Sequence, residues 1–382
     1  MAHSPNSLKT LIENFFSFAD DVSRAKNLKA LSAMLGPAAR GLLLQPGKRG
    51  EHLVMPVQGT GHFDWNYTRN QPEFAQLYEA AKRSQWESNQ QLPWSISVDP
   101  QNPERELFPD SELPLQDIPI YRSLPEAKKR EHRHAVMSWM LSQFLHGEQG
   151  ALFAACQVTQ AVPWMDGKLY GSTQVVDEGR HVEVFHRYLT EKLGKLYTIN
   201  DNLYVIIDAL MTDSRWDIKF LGMQIMIEGL ALGAFGTLRT TTREPLLQEL
   251  LKYVILDEGR HVHYGVLALK KFYTEELSEK ERAEREDWAF EVAVLLKNRF
   301  LMHEVYDEYY APFMTRKQWN RIILESKYMD RFRDRMFKRL VPNLKKIGLL
   351  TDRVRKHYDA LGLIHWESEK AATEVKTEEL LG

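Results

Sequence analysis

The pentad Asp177-Glu178-Gly179-Arg180-His181 recurs eighty residues later as Asp257-Glu258-Gly259-Arg260-His261. Thirty residues ahead of each copy's glutamate stands another, Glu148 before Glu178 and Glu228 before Glu258. The same offset relates Ala151 to Ala231, Leu152 to Leu232, Ala154 to Ala234 and Val182 to Val262. These positions lie in runs of helical spacing, so the repeat reads as a duplicated helical hairpin. Its most faithful part is charged, which a repeat made only for packing does not require.

The turns fall where such hairpins need them. Pro163 lies fifteen residues from both Glu148 and Glu178, and Pro245 lies seventeen from Glu228 and thirteen from Glu258. Antiparallel helices rising about 1.5 Å per residue then return each second glutamate to the height of the first. Residues three apart share a helix face, so Glu178 with His181, and Glu258 with His261, address one point. Packed with pseudo-twofold symmetry, the two hairpins give an all-α four-helix bundle enclosing four glutamates and two histidines. One Glu from each of two helices, with Glu-x-x-His from each of the other two, is the ligand set of ferritin-like di-iron and di-manganese proteins. Four carboxylates neutralise two divalent ions, whereas without metal they are buried anions repelling one another. Imidazole and carboxylate without thiolate suit iron or manganese. A ligating histidine usually donates its other ring N–H to a carboxylate. Asp177 and Asp257 are expected to accept from the histidine of the opposite hairpin, with Arg180 and Arg260 offsetting their charge.

Around this core the pattern predicts further helices and one wrap. Ser7 to Leu35 has helical spacing and stops at the breaker pair Gly36-Pro37. Residues 38–70 are Gly-rich loop with room for a short hairpin. Asn70 is placed to cap a helix from Pro72 to about Glu87. Seven prolines between Pro93 and Pro125 predict an extended wrap. Ser123 and Glu126 form a capping-box pattern that opens the long helix carrying Glu148. A connecting helix is expected over Asp201 to Leu210, and Asp213 or Ser214 is placed to cap the helix that carries Glu228. Ser278 with Glu281 predicts a helix to about Tyr306, and Thr315 with Gln318 a helix ending before Pro342. The parts are then 1–122 (N-terminal helices and wrap), 123–272 (the duplicated bundle), 273–366 (additional C-terminal helices) and 367–382 (an acidic tail expected to fray). Together they make one structural domain.

Composition narrows the function classes. Lys and Arg number 50 against 52 Asp and Glu, which gives no basis for a nucleic-acid or anionic-membrane partner. Cys156 is the only cysteine, so no internal disulfide exists, and it reads as buried filler. No run of eighteen apolar residues occurs; the closest, Ile225 to Leu238, contains Glu228 and several glycines. The N-terminal residues have no signal-peptide core. A soluble, cytoplasmic protein is the expectation.

The doubled Glu…Asp-Glu-x-Arg-His pattern resembles the di-iron carboxylate oxidases and oxygenases of the ferritin-like superfamily. These include bacterial monooxygenase hydroxylases, ribonucleotide reductase small subunits and arylamine N-oxygenases. The resemblance covers residues 123–272 closely and 72–340 loosely, and the segment Leu77 to Trp86 looks like the opening helix of the reductase and monooxygenase proteins. It implies that Glu148, Glu178, His181, Glu228, Glu258 and His261 hold two iron ions, with manganese or a mixed Mn/Fe pair as variants, and that O2 is the co-substrate. The departures are informative. The radical tyrosine of reductase subunits corresponds to Phe185 here, and to Gly265 in the second copy. Their first ligand is usually Asp where this chain has Glu148, and the tail Glu379-Leu380-Leu381-Gly382 lacks their docking aromatic. An extra histidine of the N-oxygenases corresponds to Val254, and a hydroxylase threonine to Leu232. Tyr170 and Tyr188 read as packing tyrosines rather than redox centres. Glycines around Glu148 and Glu228 (Gly147, Gly150, Gly229, Gly233 and Gly236) signal either close helix approach or space beside the metals.

The expectation is a di-iron enzyme that reduces O2 and hydroxylates or N-oxygenates a small organic substrate. Its electrons come from a reductase or ferredoxin, and homodimeric assembly is one expectation. A reductase-like radical generator and a non-catalytic iron binder are the competing classes.

Overall fold

The structure, a computed structural model, describes Ile12, residues 34–48, Gly50 and residues 52–381. Most of the helix predicted from Ser7 to Leu35 lies outside the described residues. The first described helix, α1 (Met34–Leu44), runs through Gly36-Pro37, where a stop was predicted. Tertiary contacts override the local breakers. Arg40 pairs with buried Asp208 at 2.6 Å. Gly41 sits so close to Val205 and Tyr204 that a Cβ would lie 2.7 and 2.9 Å from their side chains.

The described residues between Gln45 and Asn70 contain no strand, so the hairpin allowed for there does not form. α2 (Pro72–Arg83) starts with Pro in its first turn after Gln71, one residue later than the cap predicted at Asn70, and buries Phe74, Leu77 and Ala81. The proline-rich wrap holds only short turns, Asp110–Glu112, Pro114–Asp117 and Pro119–Arg122.

Two long hairpins follow. α3 (Glu126–Ala161) and α4 (Met165–Arg187) turn at Pro163, and α4 is extended by a wide π-helical turn, Tyr188–Leu193. The Ser123 capping box does not form: its hydroxyl donates to the Ile120 carbonyl instead, and Pro125 occupies the cap position. α5 (Asp201–Thr212) connects the hairpins, capped by the Asn200 side chain. α6 (Trp216–Thr241) contains a π-helical stretch, Leu221–Ile227, ending just before Glu228. Arg215 occupies its cap position, and the Asp213 side chain accepts from the Arg215 N–H instead. α7 (Pro245–Lys271) is capped by the Glu244 carboxylate, which accepts from the backbone N–H groups of Leu246 and Leu247. α3 pairs with α4 and α6 with α7, and α2 lies across α4 and α7. By composition α6 is long and apolar enough to cross a membrane, but 89% of its apolar window is buried inside the protein, so it serves here as the central core element.

The C-terminal third encloses one side of the bundle. α8 (Glu279–Asn298) opens with the Ser278/Glu281 capping box but ends earlier than predicted. Met302 adopts a left-handed φ of 48°, and a separate helix, α9 (His303–Tyr309), follows. α10 (Arg316–Glu325) has the Thr315/Gln318 box. α11 (Lys327–Lys346) continues through Pro342, against expectation, because Leu340, Val341 and Leu344 bury a continuous apolar face there. α12 (Asp352–Ala360) follows. The tail is docked rather than frayed. α13 (Thr377–Leu380) lays Leu380 over Gly259, and Arg239 donates to the Leu381 carbonyl at 2.8 Å.

Candidate metal centre

Glu148 on α3, Glu178 and His181 on α4, Glu228 on α6, and Glu258 and His261 on α7 meet in one buried cluster, none more than 5% exposed. Two ligand sets can be drawn from it, each with donor atoms within 4.8 Å of one another. One is Glu148, Glu178, His181 and Glu258; the other is Glu178, Glu228, Glu258 and His261. Glu178 and Glu258 belong to both sets, whereas each remaining residue belongs to one. Two cations, one in each set, would share Glu178 and Glu258.

The donor atoms are left without other work. Glu178 Oε2, Glu228 Oε2, both oxygens of Glu258, and Nδ1 of His181 and His261 have no hydrogen-bond partner although fully buried. His181 Nδ1 is 3.4 Å from Glu148, 3.5 Å from Glu178 and 3.2 Å from Glu258. His261 Nδ1 is 3.0 Å from Glu178 and 3.4 Å from Glu258. These are ion-pair distances without hydrogen-bond geometry. Orphaned buried polar atoms are costly, and convergence of six of them on two points fits a pair of cations.

The opposite nitrogens face outward. His181 Nε2 lies 3.2 Å from Asp257 Oδ2, and His261 Nε2 lies 3.3 Å from Asp177 Oδ2, each on the other hairpin. Arg180 pairs with Asp177 and reaches Asp257 at 3.3 Å, while Arg260 pairs with Asp257. The repeated pentad thus builds a chain of alternating charge, Asp177–Arg180–Asp257–Arg260, behind the imidazoles.

The groups of the cluster are shifted in opposite directions. Burial, then repulsion from Glu258, pushes Glu148 well above the usual carboxylate range, against the pull of His181. Burial and repulsion from Glu258 and Glu178 do the same to Glu228. Burial opposes charge on both histidines, but carboxylates outweigh it: Asp257, Glu148 and Glu178 for His181, Glu178 and Asp177 among others for His261. Both are raised well above the usual imidazole value. Burial likewise opposes ionisation of Glu178 and Asp257, yet the imidazoles hold both below the usual range.

Several supporting residues carry no signal in the repeat. Trp86, just beyond α2, donates its indole N–H to Asp257 at 2.8 Å, and Gln85 donates to Asp177 at 3.0 Å. The Arg180 guanidinium lies 4.6 Å over the Trp86 ring. Gln174, one turn before Glu178, donates to Glu178 at 3.2 Å and Glu228 at 3.0 Å, and Gln224 donates to Gln174. The i−4 spacing of Gln174 from Glu178 is the one feature that could have marked it.

The remaining candidates separate by position. Phe185 packs with Phe144 and Phe235 in an apolar wall beside the cluster. Tyr188 donates to Glu244 at 2.7 Å, away from the cluster. The Tyr170 hydroxyl is buried without a partner, and its ring meets Tyr264 edge-on at 4.6 Å. Val254 is buried core on α7, and Leu232 on α6 lines a separate surface cavity. The glycines divide between both expected roles. A Cβ on Gly233 would strike the Met336 backbone at 2.6 Å and one on Gly150 would meet Ile207 at 2.9 Å, whereas Gly147 and Gly236 face open space. Cys156 is exposed, not buried, because it falls on the solvent stripe of α3 with Gln149, Phe153 and Gln160.

No protein-family model matches the chain, and no curated protein matches it in sequence. Two solved structures are similar to it. One is an R2-like ligand-binding oxidase with aerobically reconstituted metal cofactor after photoconversion, 18% identical, with a TM-score of 0.47. The other is a mutant R2-like ligand-binding oxidase with anaerobically reconstituted Mn/Fe cofactor, 19% identical, with a TM-score of 0.44. Each similarity covers 72% of this chain and 93% of the other. The chain's own all-helical bundle and carboxylate–imidazole cluster fit the ferritin-like di-metal superfamily.

Proposed function

We propose that Glu148, Glu178, His181, Glu228, Glu258 and His261 hold two metal ions, iron or an iron–manganese pair, and that the chain is an O2-dependent di-metal oxidase. The observation that carries this reading is the pair of interlocking ligand sets sharing Glu178 and Glu258.

The metals, when bound, would supply the redox chemistry for reducing O2. The chain's residues set the conditions for that chemistry. Glu178 and Glu258 would be the residues common to the two ions, while Asp257 and Asp177 orient His181 and His261 and hold the proton on each outer nitrogen. Gln174 orients Glu178 and Glu228. Phe144, Phe185 and Phe235 exclude water on one side and offer an apolar wall to a small organic substrate. Hydroxylation or N-oxygenation of that substrate is the reaction type we favour, with two electrons per O2 delivered by a reductase or ferredoxin.

The test begins with metal content. Anaerobically loaded protein is expected to hold two ions per chain and, once reduced, to consume O2 without building a ferric mineral. One ion per chain, or none, would sink the reading. Mineral growth would mark an iron store, and a tyrosyl signal by electron paramagnetic resonance, lost in Tyr170→Phe, would mark a radical generator.

A further inference from the structure

A small cavity lies against the cluster on the side of α3 and α6. Glu148, Glu228 and Glu258 form one side, Phe144, Ala151, Ile227 and Phe235 supply apolar walls, and Arg299 closes it from the C-terminal third. Arg299 is 4% exposed. Its Nε has no hydrogen-bond partner, and no carboxylate among the described residues pairs with its guanidinium, which lies 4.9 Å over the Phe300 ring. Burial alone lowers its pKa to about 10, so it stays charged at neutral pH. A cation buried without a counter-charge is strongly unfavourable, and here it borders the cavity that reaches the metal ligands.

We propose that Arg299 is the anchor for the carboxylate of a small organic acid, bound in this cavity beside the metal centre. The planar guanidinium fork matches a carboxylate with two parallel N–H···O bonds. The walls favour a molecule with an apolar or aromatic body over an inorganic anion. The enclosed space is about 20 Å3, room for roughly one water, so the body must extend outward. Gly147 lines the cavity and is partly exposed, with nothing within 4 Å of the place its Cβ would occupy, and neighbouring Ala231 is partly exposed too. That is the open side. A molecule held by Arg299 and passing Gly147 lies alongside Glu148 and Glu228. The inference names the substrate class for the oxidase reading, but binding to Arg299 does not need the metals.

The experiment titrates metal-free protein with benzoate and with its neutral isostere benzamide, following heat or the melting temperature. Benzoate is expected to bind about tenfold or more tighter than benzamide, the scale of a charged hydrogen-bonded pair. Arg299→Met is expected to abolish that preference, and Arg299→Lys to keep part of it. Arg299→Met removes an unpaired buried charge, so it is expected to melt no lower than the parent. Gly147→Leu tests the route independently: with Arg299 intact, it is expected to weaken both ligands. Equal binding of the two ligands, no binding of either, or a preference that survives Arg299→Met would overturn the proposal. So would benzoate binding that appears only after metal loading and persists in Arg299→Met, since the carboxylate would then sit on the metals. Failure of metal binding with intact benzoate selectivity would defeat the oxidase reading and leave the Arg299 site standing.

Discussion

Replacing Glu228 by Gln should change stability in opposite directions with and without metal. In the metal-free protein Glu228 is 2% exposed, Gln174 donates to its Oε1 at 3.0 Å, and its Oε2 has no partner. Glu258 and Glu178 repel it. Gln keeps the shape and the oxygen facing Gln174 and is already neutral, so it spares the cost, about 1–3 kcal/mol at pH 7, of protonating on folding a carboxyl that is ionised in the unfolded chain. At this chain length about 1 kcal/mol moves Tm by roughly 1–2 °C, so metal-free E228Q should melt a few degrees higher than the parent. With metal the order reverses. Glu228 belongs only to the set with Glu178, Glu258 and His261, so the variant should lose one ion and keep the other. An ion present at a thousand times its Kd stabilises the fold by about 4 kcal/mol, which exceeds the cost spared. Loaded E228Q should therefore melt below the loaded parent. Calorimetric scans of chelator-treated and Mn-loaded protein, with metal counted per chain, measure both halves. Glu178→Gln is the contrast, since it touches both sets and should weaken both ions. If metal-free E228Q melts lower than the parent, or retains two ions, the assignment of Glu228 as a terminal ligand of one ion is wrong.

Other predictions follow from the surrounding groups. Metal loading at pH 7 should release protons, because His181, His261, Glu148 and Glu228 all have raised pKa values in the metal-free protein and must shed protons to bind; loading in weak buffer with a pH indicator measures this, and no acidification would contradict it. Trp86→Phe removes a buried bond to the Asp257 carboxylate, worth about 1.5–3 kcal/mol, and should weaken the ion on the His181 side by roughly 10–100-fold while sparing the other; competition with a metal indicator resolves the two. His303 is pushed down to about 4 by burial and then by nearby Arg316, although it bonds Asn320 at 2.7 Å. Its unfolded form binds the proton more readily, so its contribution is present above about pH 6.5 and lost as pH falls through about 4, up to about 3 kcal/mol. His303→Gln, which can still reach Asn320, should flatten that part of the acid limb; an unchanged pH dependence would refute it.

What the sequence made legible was whatever it repeated or punctuated. The pentads, the upstream glutamates and the prolines near each midpoint determine which four helices pair and which side chains meet. Period alone also marks the solvent stripe of α3 that holds Cys156. Local signals failed where tertiary contact decided the outcome. Gly36-Pro37 and Pro342 lie within helices because Arg40, Gly41, Leu340 and Leu344 pack against the core. Ser123 had a better partner in its own turn. The break at Met302 is a left-handed residue that no glycine or proline announces. Arg299 and Trp86 reach the cluster from segments outside the repeat, so no spacing within it could point to them.

The crossed pairing of imidazole and aspartate has a consequence for how the site is completed. Each hairpin supplies three members of one ligand set, and the fourth always comes from the other hairpin, as does the aspartate behind each histidine. A lone hairpin therefore cannot complete a coordination sphere. A single copy would need a second copy of itself to complete a sphere, and the internal repeat of this chain supplies that second copy. Full coordination of either ion would therefore require both α3–α4 and α6–α7 to be in place.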